Sequence, residues 1–553
     1  MQIGANSLAF LTASFVMLFT NNTFWTKAWD CLQNDYVAFG GLVVAAFVIL
    51  SCVLNLVSVK YLIKPLFILV ILIAAGSSYF VDTFGIVVDT EMMHNIFETD
   101  WKEASELIGS GFVFHFLLFA ILPVAIISFV KIRFLPFRKM LWRNGLISTA
   151  CLLVSASILL SNFSGYASAV RNNRDLMASL NPAAPIDAFV KYVGDMTRRP
   201  GAELASIGTD ARQGPVISAA GKKQLVVFVL GETARARSFS LNGYERETNP
   251  QLARRDVISF QNVSSCGTAT ATSVPCMFSP FGRADFSHAK ASTTENLIDV
   301  LNHAGVELAW WDNNTGSKGV ADRIPYQSLR KNKNPAFCNG KTCFDDILLD
   351  RLKDHLPSVK ENAFLVLHQL GSHGPSYSQR YPEAFRLFTP ECATAELAEC
   401  SREEIVNAYD NTIAYTDKML ADLIDYLKTR EDEFDSALVY MSDHGESTGE
   451  FGLYLHGMPY MIAPESQTEV PFILWVSDGF RTSMSLDTDC LRANAGALYS
   501  HDNLFHSMLG LMNIETGAYE AGLDIFAGCR GRTYISASQP AHDPAQGVEQ
   551  ALR

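Results

Sequence analysis

The distribution of charge over the N-terminal third constrains this chain more than any other feature. Five stretches there contain no Lys, Arg, Asp or Glu: residues 1–26, 36–59, 65–81, 107–130 and 144–170. A helix needs about 20 such residues to cross the ~30 Å hydrocarbon core of a bilayer. The third stretch, 65–81, is the shortest and only just long enough. A buried core helix is the alternative for any single stretch, but five in succession point to a membrane block. The first has neither a basic leader nor a small-residue cleavage site, so it reads as a retained span and not a signal peptide.

Loop charges then set the orientation. Lys131, Arg133, Arg138, Lys139 and Arg143 lie between the fourth and fifth stretches with no acid among them, and Lys60 and Lys64 follow the second. The loop after the third carries Asp82, Asp89, Glu91, Glu98, Asp100, Glu103 and Glu106 against Lys102 alone. Basic loops belong in the cytoplasm, which puts the N-terminus there as well and sends the C-terminal part to the far side. Cysteine usage agrees. Of the 11 cysteines, all but Cys31, Cys52 and Cys151 lie after residue 260, as Cys266/Cys276, Cys338/Cys343, Cys392/Cys400 and the distant Cys490 and Cys529. An even set in short loops reads as disulfides in an oxidising compartment, and no pair has the Cys-x-x-Cys spacing of a zinc site. The Cys490–Cys529 pairing follows from parity alone. Together these place the chain in a bacterial inner membrane, with its large C-terminal part in the periplasm.

The expected division is a five-helix transmembrane domain (1–163), an amphipathic bridging linker (164–221), a catalytic domain (222–537) and a disordered tail (538–553). Val170, Leu176, Met177 and Leu180 recur at helical spacing among Arg171, Arg174 and Asp175, which suits a helix on a membrane surface and equally a plain linker. From Gln224 onward, apolar runs at 225–230, 306–311, 363–368, 437–442 and 470–476 alternate with helical stretches such as 294–304 and 403–427. That alternation marks an α/β sheet. A net charge of −13 leaves no basic surface for nucleic acid. At 48% hydrophobic and 18% charged residues, the chain is neither disordered nor fibrous.

In open parallel sheets chemistry collects beyond the carboxyl ends of the strands. Glu232, Asp312, His373, Asp443 and His444 each follow such a strand closely. Two carboxylates and an imidazole suit Zn²⁺, although an Asp-His dipeptide alone fits a structural ion pair equally well. A hydroxyl-rich loop, Cys266-Gly267-Thr268-Ala269-Thr270-Ala271-Thr272-Ser273, closes at Pro275-Cys276. Zinc beside such a loop would lower the pKa of one hydroxyl and make it a nucleophile; otherwise the loop is a threonine-rich turn. Lys318, His373 and His456 add cations and imidazoles that suit a phosphoryl group, though each is individually common as a surface or packed residue. His368 lies within a strand and reads as a core histidine, and His501-Asp502-Asn503 as a helix cap.

At these residues the chain resembles the bacterial lipid A phosphoethanolamine transferases, inner-membrane enzymes linked to polymyxin resistance. The resemblance runs over nearly the whole length. It is carried by Gly231-Glu232-Thr233-Ala234-Arg235, Asn242-Gly243-Tyr244, the Cys266–Cys276 loop, Gly371-Ser372-His373-Gly374-Pro375 and Ser442-Asp443-His444-Gly445-Glu446-Ser447. It implies an α/β sandwich of the alkaline phosphatase and sulfatase superfamily behind the membrane block. It implies Thr270 as nucleophile, with Glu232, Thr270, Asp443 and His444 as ligands of a tightly bound zinc. Lys318, His373 and His456 match positions that hold the phosphate or a second, weaker zinc. Asn95, Thr99 and Glu103 match donor-lipid residues, and their i, i+4, i+8 spacing puts all three on one face of a helix. Ser317, Ala321 and Trp101 depart from some relatives without touching an implied ligand.

The implied reaction is ping-pong transfer of phosphoethanolamine from phosphatidylethanolamine to a lipid A phosphate, by a monomer working at the membrane. Another envelope acceptor, such as a core sugar, is the nearest alternative, and a phosphoglycerol donor is a related one. A sulfatase is disfavoured because the nucleophile loop lacks a Cys-x-Pro-x-Arg signature. A non-catalytic binding protein would need neither the metal set nor Thr270.

Overall fold

A computed structural model describes residues 2–32, 35–99, 101–197, 204–218, 220–340 and 342–531. The expected tail, 538–553, lies outside them. The chain divides into two units: Met1–Met196 with Gly449–Ile462, and Thr197–Thr448 with Ala463–Arg553.

In the first unit the uncharged stretches become helices, since helices satisfy every backbone polar group within hydrocarbon. α1 (Ala5–Phe19) and α2 (Asn22–Cys31) are followed by α3 (Tyr36–Leu56), α4 (Ile63–Phe84), α5 (Thr90–Glu98), α6 (Trp101–Leu107), α7 (Ser110–Phe129), α8 (Phe137–Ser161) and α9 (Phe163–Asn172). Among the described residues, α3, α4, α7 and α8 are long and apolar enough to cross a membrane, and α1 with α2 makes a fifth only as a bent pair. The first and last of the five expected spans differ in outline from the uncharged stretches. The first stretch bends by 69° between α1 and α2. There Thr20 Oγ1 and Asn21 Nδ2 both donate to the Val16 carbonyl, at 2.8 and 3.0 Å, and end the helix. The last span starts at Phe137, ahead of the uncharged stretch, and takes in Arg138, Lys139 and Arg143; Arg138 and Lys139 are exposed, with stems long enough to carry charge to water, while Arg143 donates to Asn6 Oδ1. It stops at Asn162.

The acidic loop is corrected. α5 ends at Glu98, and Thr99 adopts an extended backbone (ψ 130°) with its hydroxyl bonded to the Asn95 carbonyl at 2.6 Å. Asn95, Thr99 and Glu103 therefore do not share one helix; Glu103 belongs to α6. Inside the block, Asn6, Asn55, Asn144 and Ser148 are buried. Asn6 donates to Asn144 Oδ1 at 2.8 Å and Asn55 to Ser148 Oγ at 3.0 Å. These bonds tie α1, α3 and α8 together with polar contacts where lipid offers none. Val37, Phe129 and Trp142 are exposed, as lipid-facing side chains would be.

The second unit is built on a seven-stranded sheet. Its strands are β1 (Lys223–Gly231), β2 (Ile258–Phe260), β3 (Glu307–Asp312), β4 (Tyr326–Ser328), β5 (Ala363–His368), β6 (Phe434–Ser442) and β7 (Phe472–Val476), in the order β2-β7-β6-β1-β5-β3-β4. The pairings from β6 through β4 are parallel, and β7 runs antiparallel to β6 and β2. β1, β5 and β6 each carry an apolar run of five residues or more and are buried along almost their whole length, as strands covered on both faces must be. The short strands β2 and β4 escape the hydrophobic pattern because each has three residues, too few for a period to register. Register then aligns the functional ends. Ser442 pairs with Gly231, Leu230 with His368 and His368 with Asp312, so these strands end level with one another.

Candidate metal and nucleophile site

The residues just beyond those level strand ends form the site. Glu232 follows β1, Asp443 and His444 follow β6, and Asn313-Asn314 follow β3. Glu232, Asp443 and His444 are completely buried, and one ligand atom from each lies within 4.8 Å of the others. Thr270 joins them from the disulfide-closed loop. It is the first residue of α10 (Thr270–Met277), and its Oγ1 lies 3.0 Å from Glu232 Oε2, 3.2 Å from Oε1 and 3.3 Å from His444 Nε2. A helix N-terminus presents unpaired N–H groups and a positive dipole end, which favour negative charge at that hydroxyl.

Three observations fit this set to a cation. Asp443 Oδ2 is buried and accepts no hydrogen bond, while Oδ1 accepts from Thr233 N–H (3.1 Å) and His444 N–H (2.7 Å). His444 Nδ1 lies 2.9 Å from the Gly445 carbonyl and donates to it; burial lowers the ring's pKa, but Asp443 and Glu232 overcome this and hold it raised, so Nε2, facing the carboxylates, is the nitrogen that a cation would take in place of a proton. The charges are also in conflict. Burial pushes both carboxyls up; His444 and His373 overcome it at Glu232 and hold that group low. Burial and then the Glu232 charge hold the Asp443 carboxyl above its usual range. A bound cation would let both ionise. Two carboxylates, an imidazole Nε2 and a hydroxyl suit a tetrahedral zinc site.

A second group stands behind Glu232, and of its members only Asp312 is marked out in the sequence, by its place at a strand end. Asn314 Nδ2 donates to Glu232 Oε2 at 2.5 Å and faces His368 Nε2 at 3.1 Å. His368 Nδ1 lies 2.8 Å from Asp312 Oδ1, and Tyr326 Oη donates to Asp312 Oδ2 at 2.9 Å. Burial raises the Asp312 carboxyl, but His368 and Tyr326 offset this and hold it below the usual range. Thus His368, expected as a core histidine, backs a ligand through Asn314. Gly371 allows the close approach on the other side. Its φ is +56°, and a Cβ there would sit 2.5 Å from the Glu232 carbonyl oxygen, so only glycine suits the position.

The remaining expected residues are more scattered. Lys318 takes a left-handed backbone (φ 51°) and lines a cavity of about 530 Å³ with Ser317, Asp322 and Tyr326; such a backbone at a non-glycine residue is a strained conformation typical of ligand sites. His373 is buried in the loop after β5, its carbonyl accepting from Arg380 Nε at 2.6 Å. His456 lies in Gly449–Ile462, which belongs to the unit that holds the membrane helices. The four disulfides are Cys266–Cys276, Cys338–Cys343, Cys392–Cys400 and Cys490–Cys529. The run His501–Asn503 does form a capped turn, through the reciprocal Ser500 and Asn503 bonds, while His501 itself is buried.

Comparison with known proteins places this architecture. The Sulfatase family model matches residues 224–514, and the model for Phosphoethanolamine transferase EptA/EptB matches residues 46–196. The chain is 39% identical to the phosphoethanolamine transferase EptA of Escherichia coli K12, over 94% of this chain and 96% of the relative. It is 39% identical to the phosphatidylethanolamine transferase Mcr-1 of Escherichia coli, over 83% and 85%. Its fold matches the integral membrane lipooligosaccharide phosphoethanolamine transferase A of Neisseria meningitidis with a TM-score of 0.93 and 35% identity, covering 96% of this chain and 100% of that one. A membrane block of the same family, a sulfatase-type catalytic unit and this identity over nearly the full length lead to one conclusion: the chain belongs to the phosphoethanolamine transferase family of membrane enzymes.

Proposed function

We propose that the chain transfers phosphoethanolamine from phosphatidylethanolamine to a phosphate of lipid A, through a covalent intermediate on Thr270. The observation that carries this reading is the Thr270 hydroxyl at hydrogen-bond distance from both Glu232 oxygens and His444 Nε2. Zinc held by Glu232, Asp443, His444 and the Thr270 oxygen would lower the pKa of that hydroxyl and offset the charge developing on the phosphoryl oxygens.

In the first step the Thr270 Oγ–P bond forms and the P–O bond to diacylglycerol breaks, with the hydroxyl proton passing to the departing alkoxide. In the second, a lipid A phosphate oxygen attacks the same phosphorus; the Oγ–P bond breaks and Thr270 takes up the proton carried by the acceptor phosphate monoanion. Glu232 and His444 orient the hydroxyl, and the positive end of α10 favours its anionic form. Lys318 and His373 are proposed to neutralise the equatorial oxygens, as phosphoryl transfer requires. His456 is assigned the same task, and Asn95, Thr99 and Glu103 donor-lipid binding, on the family resemblance alone. The chain is taken to lie in the bacterial inner membrane with its N-terminus cytoplasmic and this unit periplasmic, where donor and acceptor both reside. Capping a phosphate with an amine lowers surface negative charge and so weakens binding of polymyxin and other cationic peptides.

The test is mass spectrometry of lipid A from a polymyxin-sensitive host expressing the chain or its Thr270→Ala variant. A phosphoethanolamine increment with the parent chain alone supports donor group, acceptor and nucleophile together. With both proteins present in the membrane, no increment from either removes lipid A as acceptor, and an increment from both removes Thr270.

A further inference from the structure

We propose that His501 is a positioning residue that fastens the nucleophile loop to the strand end bearing Asp443 and His444, using both ring nitrogens. The inference rests on Thr270 acting as the nucleophile, and it concerns a residue whose ring bonds to backbone and not to the metal-ligating side chains.

His501 begins the turn His501–Asn503, held by the reciprocal Ser500 and Asn503 cap, and leads into the buried helix Leu504–Leu511. The residue is 1% exposed. Nδ1 accepts from the Cys266 N–H at 3.1 Å, and Nε2 donates to the Ser442 carbonyl at 3.0 Å. Cys266 opens the loop that carries Thr270 and is closed by Cys276, while Ser442 is the last residue of β6, directly before Asp443 and His444. One planar ring therefore spans the two backbone segments whose separation sets the distance from Thr270 Oγ1 to His444. Ser273 supplies a parallel tie. Its Oγ donates to the Asp443 carbonyl at 2.5 Å and lies 3.3 Å from His501 Nδ1.

The chemistry of the ring requires one tautomer, Nδ1 bare and Nε2 protonated, because one partner is a donor and the other an acceptor. Burial, with the nearby His444 charge, pushes the ring well below the usual histidine range, so it stays uncharged and keeps this pattern. With both nitrogens engaged by backbone, the ring has no capacity left to act as a general base. Its contribution is geometric, and a small displacement of a nucleophile from its attack geometry is enough to slow transfer about 100-fold.

The test compares His501→Gln, His501→Asn and His501→Phe in the full-length chain, with kcat and KM for a phosphatidylethanolamine donor, zinc per chain and melting temperature. Gln presents an amide oxygen and NH₂ at about the ring-nitrogen separation and rebuilds both bonds. Asn reaches Cys266 alone, and Phe keeps bulk without either bond. Expected are kcat within about fivefold of the parent for Gln and lower by about 100-fold for Phe, with KM and zinc unchanged. If Phe does not fold, the comparison of Asn with Gln decides: kcat at least about 10-fold lower for Asn at equal melting temperature supports the strut. Equal kcat for Gln and Phe, or for Gln and Asn, overturns it, as does a fall in zinc matching the fall in kcat. An active parent with an inactive Thr270→Ala variant and indifferent His501 variants would sink this inference alone. An active Thr270→Ala variant would sink the reading beneath it.

Discussion

Replacing His501 by Gln also makes a quantitative prediction about acid stability. An unperturbed histidine titrates near 6.5, whereas burial and the His444 charge push this ring down to about 3; only its bond to the Ser442 carbonyl works the other way. As pH falls below the ordinary histidine range, the unfolded chain binds a proton at this residue that the folded chain refuses until about pH 3. The folded state thus binds fewer protons in that window, and acidification favours unfolding. Integrated from pH 7 to pH 5, the loss is about 2 kcal/mol, and it reaches about 4 kcal/mol by pH 3. In a unit of this size, about 2 kcal/mol corresponds to a shift of about 3 °C in melting temperature. The assay is the melting temperature of the purified full-length chain between pH 7 and 5, parent against His501→Gln. Gln keeps both hydrogen bonds and does not titrate, so subtracting the two curves cancels every other group. The parent should lose about 3 °C more than the variant over that range. Superimposable curves, or a parent that gains relative stability in acid, would refute the assignment of a neutral buried ring.

Other consequences can be read from the same contacts. Asn314→Ala removes the amide that donates to Glu232 and should weaken zinc binding by roughly 10–100-fold in a chelator competition; unchanged affinity would mean that the Asn314–His368–Asp312 group is packing only. Cys490 and Cys529 close the longest of the four disulfide loops, with a separation of 39, against eight for Cys392 and Cys400. Replacing the first pair by Ala should destabilise by about 4 kcal/mol, and the second by about 2.5 kcal/mol. Denaturation that ranks the two pairs the other way would contradict the loop-entropy argument. Thr20→Val together with Asn21→Leu removes the side-chain donors to the Val16 carbonyl. It should lengthen α1 through the 69° bend, read as restricted spin-label mobility across residues 18–24. Unchanged mobility would mean that the bend has another cause.

How much is legible in advance differs by element, and the reasons are physical. Glu232, Asp443 and His444 can be picked out because each closely follows an apolar run long enough to be a strand, and functional groups collect there. The cysteines mark out the hydroxyl-rich loop, but only the family resemblance singles out Thr270 among its hydroxyls. Asn314 and Asp312 cannot be assigned to Glu232, since that contact depends on β5 lying between β1 and β3, and strand order leaves no local pattern. His368 reads as a core residue because burial and service to a ligand look the same in a sequence. The bend after Phe19 is hidden since Thr20 and Asn21 carry no charge. The break at Thr99 is hidden because Asn95, Thr99 and Glu103 keep helical spacing across it. The grouping of Gly449–Ile462 with the membrane helices lies beyond any motif, as it follows from contacts between segments far apart in the chain.

The most direct test of the central claim is peptide mass spectrometry of the full-length chain incubated with phosphatidylethanolamine and zinc in the absence of an acceptor. The account predicts a phosphoethanolamine increment on the peptide containing Thr270, lost from the Thr270→Ala chain and discharged when lipid A is added. An increment on another residue, or active transfer with no modified peptide at any time, would contradict it.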